Sequence, residues 1–210
     1  MPVSDDRVTF YYNPNSRAQM VHWALEELGV PYDTQLIRFS ADEHKTPEFL
    51  ALNPMGKLPT IEHRGVVVTE AAAIITYLAD AYPDSGLAPA FNDPARGTWL
   101  RWLFFTAGCV EPAVMDKAFQ RPPIERKGSV GYGSYEDTMD ALETAITPGP
   151  WILGERFSAA DVYLGAQVMW GLKFGNIEAR PAIVAYNARC SERPAHQRVM
   201  AQAEAWRKKL

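Results

Sequence analysis

The sequence is poor in cysteine, and its two thiols are not placed to act together. Cys109 and Cys190 stand far apart, form no C-x-x-C pair and have no metal-ligand spacing around them. The four histidines, His22, His44, His63 and His196, show no zinc spacing either. A disulfide framework is excluded, and no metal is expected. No apolar run approaches the ~20 residues that a membrane span needs, so the membrane is not an expected partner. The opening MPVSDDRVTF lacks the apolar stretch of a signal peptide, which makes the cytoplasm the expected location. A basic excess is missing as well. Lys and Arg number 21 against 25 Asp and Glu, a net charge of −4, which argues against a dedicated nucleic-acid binder. Internal repeats and low-complexity segments are absent. What remains is ordinarily globular: 210 residues, 47% hydrophobic and 22% charged, enough for one large domain or two modest ones.

The two halves read differently. In VTFYY, Val8, Phe10 and Tyr12 alternate with Thr9 and Tyr11, a strand pattern. After the turn Asn13-Pro14-Asn15, RAQMVHWALEEL reads as a helix. Ser16 stands at its mouth with Gln19 three residues on, the spacing of a capping box, and Gly29 and Pro31 stop it. TQLIRF reads as a second strand and TPEFLALN as a short helix ending at Asn53-Pro54-Met55-Gly56. KLPTIEH and VVVT form a hairpin around Arg64-Gly65, and EAAAIITYLADAY closes this half as a helix. From Pro94 a long helix extends toward Gln120, with a kink or break expected at Pro112. RPPIERKGSVGYGS is loop-like, and Tyr135 to Ile146 is helical. Ser158 and Asp161 repeat the capping-box spacing with Phe157 and Val162 as a hydrophobic staple. DVYLGAQVMWGL is apolar nearly all round, as a central buried helix is. PAIVAYNARC and AHQRVMAQAEAW complete a helical bundle.

Four patterns carry a resemblance: FYYNPNSRAQMVHWALEELGVPY, NPMGKLPTIEHRGVVVTEAAAIITYLADAYP, WLRWLFFTAGCVEPAVMD and FSAADVYLGAQVMW. In this order and spacing the chain resembles the cytosolic glutathione transferase superfamily, of the bacterial, serine-like type, over nearly its whole length. The resemblance implies an α/β thioredoxin-like N-terminal domain plus an all-α C-terminal helical bundle. The expected divisions are 1–83 for the glutathione-binding domain, 84–92 for a linker and 93–210 for the helical domain. It also implies a homodimer, and Leu58-Pro59 falls where the family has a cis-proline, a form open at small cost only to X-Pro bonds.

Glutathione must have its thiol ionised, its cysteinyl amides held and its carboxylates met by donors or positive charge. A free thiol has a pKa of ~8.5, and lowering it by two units takes roughly 2.7 kcal/mol. A helix dipole supplies about 0.3–1 kcal/mol and a hydrogen bond to an ion about 1.5–3 kcal/mol, so a hydroxyl at the helix mouth is required. The resemblance implies Ser16 for that role, with Arg17 adding positive potential; from the local residues alone Ser16 reads as a helix cap. Tyr12, at the end of the first strand, is the rival donor, and Tyr11 and Tyr12 also fit as packing residues. With no cysteine at the helix mouth, a covalent mixed-disulfide mechanism is disfavoured.

Leu58, before Pro59, matches the position whose backbone pairs with the cysteinyl amides, and Lys57 or Lys45 would reach the glycyl carboxylate. Glu70 would meet the γ-glutamyl ammonium. Ala71 stands where the family has serine, which removes one hydroxyl contact and leaves a backbone N–H at a helix start. For the electrophile site, Phe105, Gly108, Cys109 and Met115 are the expected lining, while most of Trp99, Trp102, Phe104 and Phe105 must pack.

The expected function is conjugation of the glutathione thiolate, the co-substrate, to small apolar electrophiles, with detoxification as its setting. Two alternatives stand beside it. One is a glutathione-transferase-like binding or scaffold protein with little turnover, suggested by Ala71. The other is a glutathione-dependent isomerase or peroxidase on the same site.

Overall fold

The computed structural model describes residues 6–209, so Met1 to Asp5 and Leu210 lie outside the described residues. The chain forms two compact units. One is Met1–Ser85 together with Pro194–Leu210, and the other is Gly86–Arg193. The last helix thus belongs with the first unit, whereas the sequence groups all of 93–210 together.

The first unit is built on β1 (Val8–Tyr12), β2 (Tyr32–Leu36), β3 (Thr60–His63) and β4 (Val66–Thr69), in the order β2-β1-β3-β4. β1 runs parallel to β2 and antiparallel to β3, and β3 and β4 make the hairpin. With α1 (Ala18–Leu28), α2 (Pro47–Leu52) and α3 (Ala71–Ala81), this is a thioredoxin-like domain. Alternation in β1 does what its period requires: Val8, Phe10 and Tyr12 are all fully buried on one face. Met20, Val21, Trp23 and Leu25 of α1 and Ile74, Ile75 and Leu78 of α3 complete the core. Gly29 ends α1 in the left-handed conformation, φ 66°, its N–H returned to Leu25 O. β2 begins and ends earlier than TQLIRF suggests. Its pairing starts at Tyr32 opposite Val8, and past Leu36 the chain is claimed by the Asn13 side chain and by Arg38, which pairs with Glu43.

The final helix, α9 (Pro194–Arg207), packs along α1. Trp206 stacks on His22 at 5.1 Å and meets Tyr12 edge-on at 4.8 Å. His22 is fully buried, its Nε2 2.9 Å from Tyr32 Oη, which in turn donates to Glu26 Oε1 at 2.7 Å. Burial lowers the His22 pKa to about 4, against the pull of Glu26.

The second unit is all helical: α4 (Ala95–Phe105), α5 (Glu111–Ala118), α6 (Tyr135–Ile146), α7 (Ala159–Lys173) and α8 (Pro181–Ser191). The kink expected at Pro112 is resolved differently. Residues Thr106–Val110 form a π-helical segment that joins α4 to α5, and Glu111 N bonds back to Thr106 O. Pro112 has no N–H to give Gly108 O, so the widened turn absorbs the missing bond just before it. α7 is buried on nearly every side, from Ala159 to Val168. Gly171 is required there, because a Cβ would lie 2.3 Å from Ile177 Cδ1. At its start the expected box is present. Asp161, fully buried, accepts from Ile152 N (2.8 Å), Ser158 N and Oγ (both 3.0 Å) and Tyr186 Oη (3.0 Å). Burial nevertheless raises its pKa to about 6.

Two predictions follow from these buried groups. Asp161→Ala strands four donors in a dry interior and lowers stability by about 4 kcal/mol, read from urea denaturation. Asp161→Asn, which keeps an acceptor, costs clearly less. The second concerns pH. The folded state holds His22 neutral, so stability is full above pH 6.5 and falls toward pH 4 as the unfolded chain takes up the proton first. Asp161 has the opposite sign, because its raised pKa favours the folded state as pH falls from about 6 toward 3.8. The His22 effect is therefore read as a difference. Wild type loses about 3 kcal/mol more than His22→Phe between neutral pH and pH 4, and equal losses would show that His22 is not the group responsible.

Candidate functional site

The sheet register gathers most of the candidate residues at one edge. Tyr11 pairs with Thr60 and Thr60 with Thr69, so the chain leaves β1 toward Ser16, enters β3 from Leu58-Pro59 and leaves β4 into Glu70-Ala71 at the same end of the sheet. The Leu58-Pro59 bond is cis.

Asn13 builds the turn that carries Ser16. It is 3% exposed; its Nδ2 donates to Ile37 O at 2.7 Å, and its Oδ1 accepts from Asn15 N at 2.8 Å. Its carbonyl accepts from both Ser16 N (3.1 Å) and Ser16 Oγ (2.7 Å). Ser16 Oγ also accepts from Ala18 N at 3.2 Å. The expected Ser16–Gln19 box is not formed. Arg17, in helical conformation, occupies the cap position, and the Gln19 side chain donates to Pro14 O instead. Arg17 is half-buried beside it.

Tyr12 faces the other way. Its side chain is fully buried under Trp206, and among the described residues its hydroxyl has no hydrogen-bond partner. Burial pushes its pKa up from 10. Tyr11 is half-buried, its ring edge-on to Phe49 at 5.7 Å.

A second buried amide shapes the segment before the cis bond. Asn53 Nδ2 donates to Lys57 O (2.9 Å) and Thr60 Oγ1 (3.2 Å), and its Oδ1 accepts from Met55 N (3.1 Å). Leu58 is 8% exposed, whereas the Lys57 side chain is open to water. Lys45, also exposed, donates to Met55 O at 3.1 Å and so leans on this segment. Glu70 is exposed and has φ 67°, a left-handed conformation that costs of order 1 kcal/mol for a side chain of this kind. Ala71 is the first residue of α3, at the end where the dipole favours anions. The sequence reading gives both asparagines only as turn residues and misses their buried side-chain roles; an Asn-Pro pair directly after an element, Asn13 after β1 and Asn53 after α2, is the signal that marks them.

The electrophile candidates lie on the second unit. Phe105 is half-buried against Trp102, ring centroids 5.1 Å apart. Gly108 is exposed on the π segment. Cys109 is half-buried with Sγ 3.4 Å from Gly131 O, and burial pushes its thiol up. Met115 is half-buried on α5. Trp99 and Trp102 pack as expected, but Phe104 is 71% exposed. Among the described residues no three His, Cys, Asp or Glu side chains are placed to hold a metal ion, and no helix is long and apolar enough to cross a membrane.

Comparison with known proteins gives the family of both units. The model of the glutathione S-transferase N-terminal domain matches residues 16–81, and that of the C-terminal domain residues 112–170. The chain is 28% identical over 187 residues to glutathione S-transferase GstA of Escherichia coli O157:H7, covering 88% of this chain and 92% of that protein. It is 30% identical over 185 residues to a maleylacetoacetate isomerase of Pseudomonas aeruginosa, covering 83% and 85%. Among solved structures, a glutathione transferase from Methylococcus capsulatus is 29% identical with a TM-score of 0.77, over 94% of this chain and 99% of that one. A glutathione transferase homolog from Sulfitobacter with bound glutathione is 27% identical with a TM-score of 0.75, over 94% and 98%.

Proposed function

This chain belongs to the cytosolic glutathione transferase superfamily, and from that premise we propose that Ser16 stabilises the glutathione thiolate in a transferase reaction. The enzyme is a glutathione transferase with glutathione as its substrate. The observation that carries the serine reading is the Ser16 hydroxyl at the mouth of α1, donating 2.7 Å to a backbone carbonyl. When the sulfur arrives, the hydroxyl exchanges that neutral acceptor for an anion. A neutral hydrogen bond contributes about 1 kcal/mol and one to an ion about 1.5–3 kcal/mol, so the exchange favours the sulfur. Ala18 N–H donates to Ser16 Oγ and occupies one of its lone pairs, so the proton that turns to the sulfur is the one now given to Asn13 O. The sealed position of Tyr12 supports Ser16 over its rival.

The tripeptide's other ends follow from the same edge. The backbone of Leu58 would pair with the cysteinyl amides, and Lys57 and Lys45 would meet the glycyl carboxylate. The strained φ of Glu70 supports a role for its carboxylate at the γ-glutamyl ammonium, since strain of this kind collects at binding sites. With Ala71 in place of serine, its N–H supplies the remaining donor to the γ-glutamyl carboxylate. The thiolate then adds to, or substitutes on, a small apolar electrophile, with Phe105, Gly108, Cys109 and Met115 as its proposed lining and no metal taking part. Holding both reactants together supplies much of the acceleration. A cytoplasmic detoxification role fits this chemistry. A second reading, glutathione-dependent isomerisation, is favoured by the relative named maleylacetoacetate isomerase.

A homodimer is supported by Phe91 and Phe104, which are 80% and 71% exposed and gain by being covered by a second copy. Sedimentation is expected to give a dimer that Phe104→Asp converts to monomer; a wild-type monomer removes the proposal. For the site, Ser16→Ala is expected to raise the pH midpoint of bound-thiol ionisation by about 1–2 units and to lower kcat/KM with an aryl halide about 10- to 100-fold at neutral pH. Tyr12→Phe leaves both unchanged. The opposite pattern assigns the thiol to Tyr12. Turnover of a cis-alkene diacid that exceeds turnover of the aryl halide favours the isomerase reading.

A further inference from the structure

α9 is tied to both ends of α1. Near the far end, Arg198 Nε donates to Glu26 Oε2 at 2.7 Å and Nη2 to Glu26 O at 3.1 Å. Beside the start of α1, Trp206 lies on His22 and Tyr12. The next residue reaches the turn itself: Arg207 Nε donates to Asn15 Oδ1 at 3.2 Å and Nη2 to Pro14 O at 3.3 Å. Pro14 O is also the acceptor of the Gln19 side chain. Pro14 and Asn15 are the whole span between Asn13, fixed in the core, and Ser16. Displacing them displaces Ser16.

We infer that Arg207 is a positioning residue for Ser16. Its two donors hold Pro14 and Asn15, and so keep the turn in the shape that seats the Ser16 hydroxyl between Asn13 O and Ala18 N at the start of α1. Two adjacent N–H groups in a rigid plane suit two acceptors on consecutive residues, which a single ammonium cannot match. Glu204 Oε2, 3.5 Å from Nη1, holds the third nitrogen one turn back on the same helix. Docking of α9 does not depend on this arginine, because Ala195, Val199 and Ala203 are buried beneath the helix and Arg198 anchors its other end. The catalytic consequence rests on the serine reading above; the clamp does not.

Arg207→Met keeps the stem and removes the fork, and its test has two arms. The first uses the protein alone: amide hydrogen exchange at Asn15 to Gln19 is expected to rise about tenfold while β1 amides and the melting temperature hold. The second follows glutathione. The bound-thiol midpoint rises and kcat falls several-fold with KM for glutathione within about twofold, Arg207→Lys recovers part of the loss, and in a Ser16→Ala background Arg207→Met changes neither quantity. Unchanged exchange at the turn overturns the inference. So does an equal shift with and without Ser16, since the arginine then acts by its charge. If exchange rises but Ser16→Ala itself leaves the midpoint unmoved, the serine reading fails while the clamp stands.

Discussion

The carbonyl of Asn13 carries two hydrogen bonds from one residue, and the chemistry of the first unit is arranged around them. A strand has to end and a helix begin within a few residues, leaving a hydroxyl at the helix mouth. Asn13 makes this possible because it is buried and fully engaged: its amide nitrogen holds the exit of β2 at Ile37, and its amide oxygen holds Asn15. The Ser16 amide and hydroxyl then converge on its backbone oxygen. Three segments meet at one residue. The β1–β3 and β3–β4 registers carry that fixed point across the sheet to the cis Leu58-Pro59 bond and to Glu70.

Much of this was legible in the sequence, for reasons that are local. Alternation placed Val8, Phe10 and Tyr12 on one face, Gly29 ended α1, and Ser158 with Asp161 opened α7. Each is a matter of neighbours within four residues. The departures come from partners far along the chain. A capping-box spacing at Ser16 and Gln19 was not enough, because Asn13 O competes for the hydroxyl and Pro14 O for the glutamine amide. Tyr12 looked available as a donor until Trp206, nearly two hundred positions later, covered it. TQLIRF runs three residues past the end of β2 at Leu36, because the side chain that takes over at Ile37 comes from the turn after β1. A proline in a helix predicts a missing bond but not how the helix absorbs it.

The second unit shows the same economy in an apolar setting. α7 can be buried all round only because its first turn is closed by Asp161 and its last is narrow enough at Gly171 to admit Ile177. Upstream, the π segment lets α4 and α5 continue as nearly one helix past Pro112, turning Cys109 toward Gly131 and leaving Gly108 in the open.

The first unit is assembled from two separate stretches of sequence, and the residues of the second unit lie between them along the chain. A ribosome releases the strands well before the helix that covers Tyr12 and His22. Throughout synthesis of the intervening hundred or so residues, a tyrosine hydroxyl and an imidazole destined for a dry interior remain wet, and the first unit is completed only after the second has been made. A chain halted before Trp206 therefore leaves the aromatic face of Tyr12 and His22 uncovered.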